Sequence, residues 1–466
     1  MPGCEILQSF DLVHWEHVTY VYETLDHTDA QQLKSGQNIY GQGMWAASLR
    51  YHEGRFYICF VANDTRKTYL YTSEKIDGPW KKQLIEGFYH DGSLLFDEDG
   101  RNYIVYGNDE IWITELNEDL TAPKKDGLHR LLVSDHKNPE LGYEGSHIQK
   151  INGYYYIFLI HSLRDRWMRT EACFYSDSLE GEFTGGDVLC DDRGYCGQGV
   201  AQGGIVDTPD GKWYAMLFQD SGAVGRLPIL LPVTWKDHFP VFGQNGHVPE
   251  EIEVHSTRPG YIYQPLVGSD DFCNGLLPRW QFNHDPDPRY YHLDALQGTY
   301  TITTREVCTE LTQAVNTLTQ RMSYPSCAAE VTVDASALKE GDVAGLCALQ
   351  GCYAAVGITK HHGKYEVLML DKKEDGILDM TEGTVVESHQ MDFRLEADFC
   401  NMKDEARCYY RVNKGDWLPI GTVHKLYFKL DHFTGCRFGL FCYAAEETGG
   451  SACFRDFKYY DVDEIS

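Results

Sequence analysis

The sequence predicts an all-β protein, in which a five-bladed β-propeller with an incomplete first blade is followed by a β-sandwich domain. Three observations lead to this prediction. Aromatic residues make up 13% of the 466 residues and glycine occurs 44 times, a mixture typical of aromatic strands joined by glycine turns. A strand–turn–strand pattern recurs four times in the first half of the chain. After about residue 268, apolar and polar residues alternate between turns, as they do in sandwich strands.

The repeat becomes visible when four segments are aligned on a turn glycine. Each has a strand, a polar turn that ends at the glycine, and a second strand that carries Tyr or Phe. The glycines recur at intervals of 46, 53 and 58 residues, which fits one four-stranded propeller blade per repeat. The segments are WAASLRYHEGRFYICF (45–60), DGSLLFDEDGRNYIVY (91–106), EGSHIQKINGYYYIFL (144–159) and QGGIVDTPDGKWYAML (202–217).

A further copy of the outer-strand pattern occupies residues 6–18 and has no inner hairpin before it. We therefore expect the sequence to begin inside a blade, and residues 227–243 to supply the closing strand. These patterns predict a propeller over residues 1–245, a polar linker with Gly and Pro over 246–267, and a sandwich over 268–466.

The composition excludes several classes of partner. The formal net charge is −29, and so acidic a surface repels nucleic acid and anionic lipid. A small neutral oligosaccharide is consistent with it, and homo-oligomerisation stays open. The 15 cysteines include no C-x-x-C pair, and the first residues have neither a basic start nor an apolar signal core. Because this pattern is typical of free thiols in a reducing compartment, we expect a cytoplasmic protein.

One position of the repeat carries the candidate chemistry. The residue nine places before the turn glycine is Trp45, Asp91, Glu144 or Gln202 in the four segments. Inner strands of a propeller line its central channel, so residues in the same phase of successive blades should converge. A small residue follows each of the four, and we expect this to leave room for a ligand near the backbone.

Two carboxylates beside an aromatic ring suit the cleavage of a glycosidic bond. One acid must protonate the leaving oxygen, and burial beside a second negative charge raises a carboxyl pKa enough for this. We predict that Glu144 is the proton donor, because its side chain reaches further. Asp91 would keep Glu144 protonated and orient the sugar. The alternative is that each acid is a solvated strand residue or a cap.

The other candidates also have two readings. Trp45 is either a core residue or a platform for a sugar ring. Gln202 either contacts the sugar or satisfies a backbone group. Arg226 either hydrogen-bonds sugar hydroxyls or Asp91, or forms a surface ion pair. Regular strand alternation predicts that His90 points to the face opposite Asp91.

At these residues the sequence resembles glycoside hydrolase family 43. The resemblance spans nearly the whole propeller, and the tail resembles the C-terminal β-sandwich of the family's β-xylosidases and α-L-arabinofuranosidases. The motifs that carry it are GMWAASLRYHEGRFYICF, YHDGSLLFDEDGRNYIVYG, GYEGSHIQKINGYYYIF and GVAQGGIVDTPDGKWYAMLFQDSGAVGR, with RWQFNHDPDPRYYHL and NTLTQRMSYPSCAAEVTVD in the tail.

The resemblance implies an inverting hydrolase on a five-bladed propeller that removes terminal xylose or arabinofuranose from hemicellulose oligosaccharides. It places Asp91 at the position of the Asp that tunes the pKa of the acid, and Glu144 at that of the general acid. Trp45 and Arg226 match positions that hold the sugar. The sandwich is expected to shape the pocket mouth.

Two departures from the family pattern matter. The family's general base lies in a D-P-D or D-P-S motif on the first inner strand, and the sequence starts at PGCEILQSFDLVHW, which would follow it. We therefore expect the base to be absent and hydrolysis to be severely reduced, unless Asp64 or another subunit's carboxylate replaces it. A His of the GHGG-like motif that helps hold a central cation is replaced by Gln202 in AQGG. No cofactor is expected to be required, and a Ca²⁺ ion at the propeller centre is doubtful.

Two other functions stay open at this level. A non-catalytic propeller could use Asp91, Glu144 and Trp45 only to recognise a sugar. A structural protein could assemble through the sandwich and use the propeller as a scaffold.

Overall fold

The computed structural model describes residues 1–461, and these contain 33 β-strands, no α-helix and five short 3₁₀ turns. The all-β class is therefore confirmed. Among the described residues there is no helix with the length and apolarity needed to cross a bilayer. The 3₁₀ turns are Lys34–Gly36, Gly222–Val224, Leu311–Gln313, Cys400–Met402 and Leu430–His432.

The N-terminal part consists of one two-stranded and four four-stranded antiparallel sheets, each made of consecutive strands. Its strands are β1 (Gly3–Gln8), β2 (Glu16–Tyr22), β3 (Ser48–His52), β4 (Arg55–Ala62), β5 (Lys67–Ser73), β6 (Lys81–Ile85), β7 (Ser93–Phe96), β8 (Asn102–Asn108), β9 (Glu110–Leu116), β10 (His129–Ser134), β11 (Glu144–Ile151), β12 (Tyr154–Ser162), β13 (Arg169–Ser176), β14 (Thr184–Leu189), β15 (Ala201–Asp207), β16 (Trp213–Asp220), β17 (Arg226–Lys236) and β18 (Phe239–Phe242).

The four larger sheets are arranged like propeller blades. The first strands of successive sheets are in contact, β3 with β7, β7 with β11 and β11 with β15. Apolar side chains fill the space between neighbouring sheets, for example Ile113 and Ile157 between the sheets β7–β10 and β11–β14. The second strand of a sheet has neighbours on both faces, which explains why β12 reads as an uninterrupted aromatic and aliphatic run, YYYIFLIHS.

The predicted hairpins are confirmed. Each turn glycine has a positive φ, between 80° and 84°, which is the conformation that favours glycine in a tight turn. The prediction for residues 227–243 was wrong. This stretch forms β17 and β18 of the fourth sheet, where β17 pairs with β16 from Trp213–Val233 to Asp220–Arg226. The five-blade interpretation and the incomplete first blade remain predictions.

The C-terminal part consists of two facing sheets. One has the order β19-β22-β32-β24-β25-β26-β27, with β28 also paired to β26, and the other has the order β20-β21-β33-β23-β29-β30-β31. Its strands are β19 (Gln281–Phe282), β20 (Tyr291–Asp294), β21 (Thr299–Thr303), β22 (Leu318–Arg321), β23 (Ser326–Asp334), β24 (Val343–Leu349), β25 (Ala354–His361), β26 (Lys364–Lys372), β27 (Leu378–Met380), β28 (Thr384–Val386), β29 (Gln390–Asp398), β30 (Glu405–Val412), β31 (Leu418–Lys425), β32 (Arg437–Tyr443) and β33 (Ser451–Asp461).

A single apolar core joins the two C-terminal sheets and includes Phe393, Phe438 and Phe454. The two parts of the chain are in direct contact, because the backbone N–H of Cys436 donates a 2.8 Å hydrogen bond to the carbonyl of Ala223. All 15 cysteines lie in the described residues and none forms a disulfide. The domain boundaries drawn from the sequence stay a prediction.

Candidate active site

The candidate acids lie where the inner strands begin. Asp91 is two residues before β7, Glu144 is the first residue of β11, and Gln202 is the second residue of β15. Asp91 and Gln202 have left-handed backbone, with φ of 48° and 63°. The pairing register also shifts between Glu144 and His147. Irregularities of this kind turn a side chain away from the direction that strand alternation would give it.

The structure brings Asp91 and Glu144 together. Donor atoms of Asp91, Glu144 and His90 all lie within 4.8 Å of one another. Asp91 Oδ2 accepts a 3.0 Å hydrogen bond from the backbone N–H of Gly145, and Glu144 Oε2 accepts a 2.8 Å hydrogen bond from Asn108 Nδ2. Each carboxylate is thus anchored by a hydrogen bond from outside the cluster.

The prediction for His90 was wrong. His90 Nε2 lies 3.6 Å from Asp91 Oδ2 and 3.6 Å from Glu144 Oε2, so it faces the same pocket as the acids. The prediction assumed regular strand alternation, but β7 begins only at Ser93 and the left-handed backbone of Asp91 interrupts the alternation. An imidazole beside both acids is therefore a group that pattern reasoning missed.

Burial dominates the electrostatics of this cluster. Asp91 is only 7% exposed. Burial, together with the Glu144 charge, raises the pKa of Asp91 to about 6, although His90, the Gly145 N–H and Arg226 act in the opposite direction. Burial also lowers the pKa of His90, but its contact with Glu144 and the charge of Asp91 outweigh this, so the pKa lies above its usual value.

Two aromatic side chains and an arginine lie beside the acids, namely Trp45, Phe433 and Arg226. The ring centroids of Trp45 and His90 are 5.7 Å apart. The ring centroid of Phe433, a residue of the C-terminal part, lies 5.8 Å from that of Trp45. The guanidinium carbon of Arg226 lies 4.8 Å from the Phe433 centroid. Phe433 could not be found from the propeller repeat because it belongs to another domain. A residue of the C-terminal part thus lies beside Trp45 and Arg226, while the shaping of a pocket mouth by the sandwich stays a prediction.

Gln202 packs beside Gly145, the residue that follows Glu144. Its side chain fills the space beside Gly145, and its backbone N–H donates a 2.7 Å hydrogen bond to Glu171 Oε2. The small residues after the repeated position do not leave a gap for a ligand at Gly145 or Gly203. A Cβ on Gly145 would crowd Gln202, and one on Gly203 would collide with the Met216 carbonyl. Close packing between neighbouring strands explains why a residue without a Cβ is needed at both positions.

Arg226 does not form a surface ion pair. Its Nε lies 3.4 Å from Asp220 Oδ1, and Asp220 is 4% exposed. A second arginine, Arg169, lies with Nη1 2.7 Å from Asp220 Oδ2. Burial, and then the charge of Arg169, lower the pKa of Arg226. The two residues face each other across β16 and β17, which brings their side chains together.

The channel below the acids is crossed by Arg50, which projects from β3. Its guanidinium donates to the carbonyls of Leu94 at 3.1 Å and Ile148 at 3.0 Å, and to Ser93 Oγ at 2.5 Å. These contacts reach the inner strands of two further sheets. Burial, and then Arg50, lower the pKa of His147 to about 3. A positive group thus already contacts carbonyls of two neighbouring inner strands.

Asp64, the residue considered as a substitute base, already has a partner. Its Oδ2 accepts a 2.8 Å hydrogen bond from Gln31 Nε2, while its Oδ1 is buried without a hydrogen-bond partner among the described residues. Its proposed role stays a prediction.

One buried and one partly buried carboxylate, held on successive inner strands beside aromatic rings and an arginine, form a site of the glycosidase type. The chain belongs to glycosyl hydrolases family 43, whose family model matches residues 1–240. A second model, the beta xylosidase C-terminal concanavalin A-like domain, matches residues 269–460. The chain is therefore a glycosidase, as the sequence predicted.

Several known proteins are similar over the whole chain. A solved structure described as a bifunctional GH43-CE of Bacteroides eggerthii has a TM-score of 0.91 and 41% identity over 100% of this chain, which spans 60% of the length of that protein. An engineered GH43 hydrolase described as both endo-xylanase and exo-arabinofuranosidase has a TM-score of 0.85 and 26% identity, with 99% and 94% coverage. A beta-xylosidase of Formosa agariphila is 25% identical over 99% of this chain and 84% of its own.

Proposed function

We propose that the protein hydrolyses terminal xylose or arabinofuranose linkages of hemicellulose oligosaccharides with inversion. The observation that carries the proposal is the approach of Asp91 and Glu144 within one partly buried cluster. The names of the relatives, a beta-xylosidase and a xylanase with arabinofuranosidase activity, support this substrate class.

Glu144 is assigned the role of general acid and Asp91 that of the group which tunes it. The acid and base of an inverting enzyme are roughly 6.5–9.5 Å apart, because a water molecule must fit between the base and the sugar. Asp91 and Glu144 have oxygens within 4.8 Å of each other, so Asp91 is too close to act as that base. Asp91 instead acts on Glu144 by position, because its Oδ2 accepts a hydrogen bond from the backbone N–H of Gly145, the residue that follows Glu144.

The aromatic rings and the arginine beside the acids bind the sugar. Trp45 and Phe433 offer ring faces to the apolar side of a pyranose or furanose, while Arg226 donates hydrogen bonds to hydroxyls. Gln202 acts through Gly145, against which its side chain packs. The half-buried Phe433 narrows the mouth, which favours removal of single terminal sugars.

We further propose that these 466 residues hydrolyse slowly by themselves. An inverting mechanism needs a third carboxylate across the sugar from Glu144. Asp220 is held by Arg169 and Arg226, and Asp64 by Gln31. Loss of general-base assistance typically lowers a rate by about 10²–10⁴-fold. No divalent cation is required in this proposal, since Arg50 contacts the channel carbonyls.

The test compares Glu144→Gln with Glu140→Gln, a control at an exposed position of the loop that precedes β11. Both are assayed on xylobiose and on 4-nitrophenyl xyloside and arabinofuranoside, with NMR to identify the first anomer released. A nitrophenolate leaves without a proton, whereas a sugar needs one. Glu144→Gln should therefore lower kcat on xylobiose by about 10²-fold or more and change nitrophenyl hydrolysis much less.

Equal losses on both substrates would contradict the acid role of Glu144. No turnover at all, combined with calorimetric binding of xylobiose, would favour the non-catalytic sugar-binding function instead. Absence of both would reject the sugar pocket.

A further inference from the structure

Two arginines at the candidate site share a single carboxylate. Arg169 and Arg226 approach opposite oxygens of Asp220, at 2.7 Å and 3.4 Å. Their side chains are only 11% and 26% exposed. The charge of Glu144 also acts on Arg226, so the pair meets a second carboxylate besides the shared Asp220.

The two guanidinium groups differ in how their Nε atoms are placed. Arg169 Nε is buried and makes no hydrogen bond with any described residue, whereas Arg226 Nε faces Asp220 Oδ1 at 3.4 Å. Both guanidinium carbons lie over the Phe218 ring, at 5.5 Å and 4.4 Å from its centroid, so the same ring supports the pair. An arginine that is fixed in this way keeps its planar fork oriented for a carboxylate.

An aromatic ring borders the arginine pair on its open side. Trp167 is 46% exposed, and its ring centroid lies 5.7 Å from the Arg169 guanidinium carbon. An exposed tryptophan beside a partly buried arginine can stack on a sugar ring while the arginine binds a charged substituent of that ring.

We propose that Arg169 and Arg226 form an anion subsite beside Glu144, which binds the carboxylate of a uronic-acid residue in the oligosaccharide. This refines the substrate class and rests on the proposed function. It also differs from the neutral ligand expected from composition. The net charge of −29 and the acids at the hub would repel such a substrate, and a local arginine pair supplies the compensation that the rest of the surface lacks.

A matched pair of disaccharides tests the subsite by calorimetry at low salt. Glucuronosyl-xylose carries the carboxylate, and glucosyl-xylose of the same linkage has a hydroxymethyl group in its place. The wild-type chain should bind the acidic sugar about tenfold or more tightly than the neutral one, which is the effect of a charge-assisted hydrogen bond. The preference should decrease as salt is added.

Three variants locate the effect. Arg169→Gln should reduce the ratio of the two dissociation constants to about one, and Arg169→Lys should leave an intermediate ratio because a single ammonium lacks the fork geometry. Arg166→Gln is the control, since Arg166 is an exposed arginine in the loop before β13, with its Nη1 3.1 Å from Asp165 Oδ2. It should leave the ratio unchanged.

The outcomes separate the subsite from the function. Equal binding of both disaccharides by the wild-type chain would overturn the subsite and leave the sugar pocket intact. Binding of neither would overturn both. Inorganic phosphate is titrated in parallel, and if it binds as tightly as the acidic sugar and depends equally on Arg169, the site holds free anions and the uronic-acid assignment is wrong.

Discussion

The backbone N–H of Gly145 donates a 3.0 Å hydrogen bond to Asp91 Oδ2, so the residue that follows Glu144 is tied directly to the neighbouring carboxylate. Ser146 adds a second link, because its hydroxyl donates to the Asp91 carbonyl at 2.8 Å. The separation of the two acids is thus set by the backbone of adjacent blades. A rigid frame of this kind can hold a buried charge that would otherwise be unfavourable.

Replacing Asp91 with Asn should stabilise the fold at alkaline pH. The folded pKa of about 6 exceeds the usual 3.8, so the folded protein holds a proton that the unfolded chain has already released. The stabilisation linked to that proton is complete below pH 3.8 and is lost as the pH rises through 6. Asn stays neutral and still accepts from Gly145, so the free energy of unfolding at pH 8 should rise by about 2–3 kcal/mol.

Thermal unfolding at pH 8 and pH 4 measures this difference. Asp91→Asn should melt higher than the wild-type chain at pH 8 and close to it at pH 4, where Asp91 is mostly protonated. Asp99→Asn, at an exposed hairpin turn, provides the control. A lower melting temperature for Asp91→Asn at pH 8 would contradict the raised pKa.

Replacing Phe433 with Ala should weaken sugar binding more than stability. The ring contacts Trp45 and Arg226 across the domain boundary, and an aromatic contact of this kind contributes about 1 kcal/mol, or roughly fivefold in KM. Phe433→Tyr keeps the ring and should restore most of the binding. Leu430→Ala, at a side chain 60% exposed in the same loop, should have no effect. An unchanged KM for Phe433→Ala would remove Phe433 from the pocket.

Two buried tyrosines provide a paired test of polar burial. Tyr155 donates a 2.5 Å hydrogen bond to Asp97, whereas the Tyr103 hydroxyl is buried without a hydrogen-bond partner among the described residues. Tyr155→Phe should therefore lower the free energy of unfolding by about 1–3 kcal/mol, and Tyr103→Phe should leave it unchanged or raise it. Urea unfolding with unchanged slope measures both, and a loss of stability in Tyr103→Phe would mean that its hydroxyl has a partner.

The sequence predicted the features of the fold that recur in each repeat or that depend on neighbouring residues. The hairpin turns and the shared phase of Asp91 and Glu144 follow from one pattern, because a glycine turn fixes the register of the strands around it. His90 was misplaced because the left-handed backbone at Asp91 interrupts strand alternation. Aspartate adopts that conformation more readily than most residues do, but not often enough for the sequence to predict it at one position. Phe433 lies in another domain, and only the packing of the two domains brings it to the pocket.

Arg50 should make the propeller independent of metal ions. Its guanidinium donates to the carbonyls of Leu94 and Ile148 and to Ser93 Oγ, so it joins three inner strands at the channel. EDTA and added Ca²⁺ should both leave the melting temperature of the wild-type chain unchanged.

Arg50→Gln cannot reach all three partners, and each unpaired buried group costs about 1–3 kcal/mol, so this variant should unfold at a clearly lower urea concentration. Arg101→Gln, at an exposed ion pair with Asp99, is the control and should leave the urea midpoint unchanged within about 0.5 kcal/mol. A melting temperature that falls with EDTA would show that a cation, and not the guanidinium alone, holds the channel together.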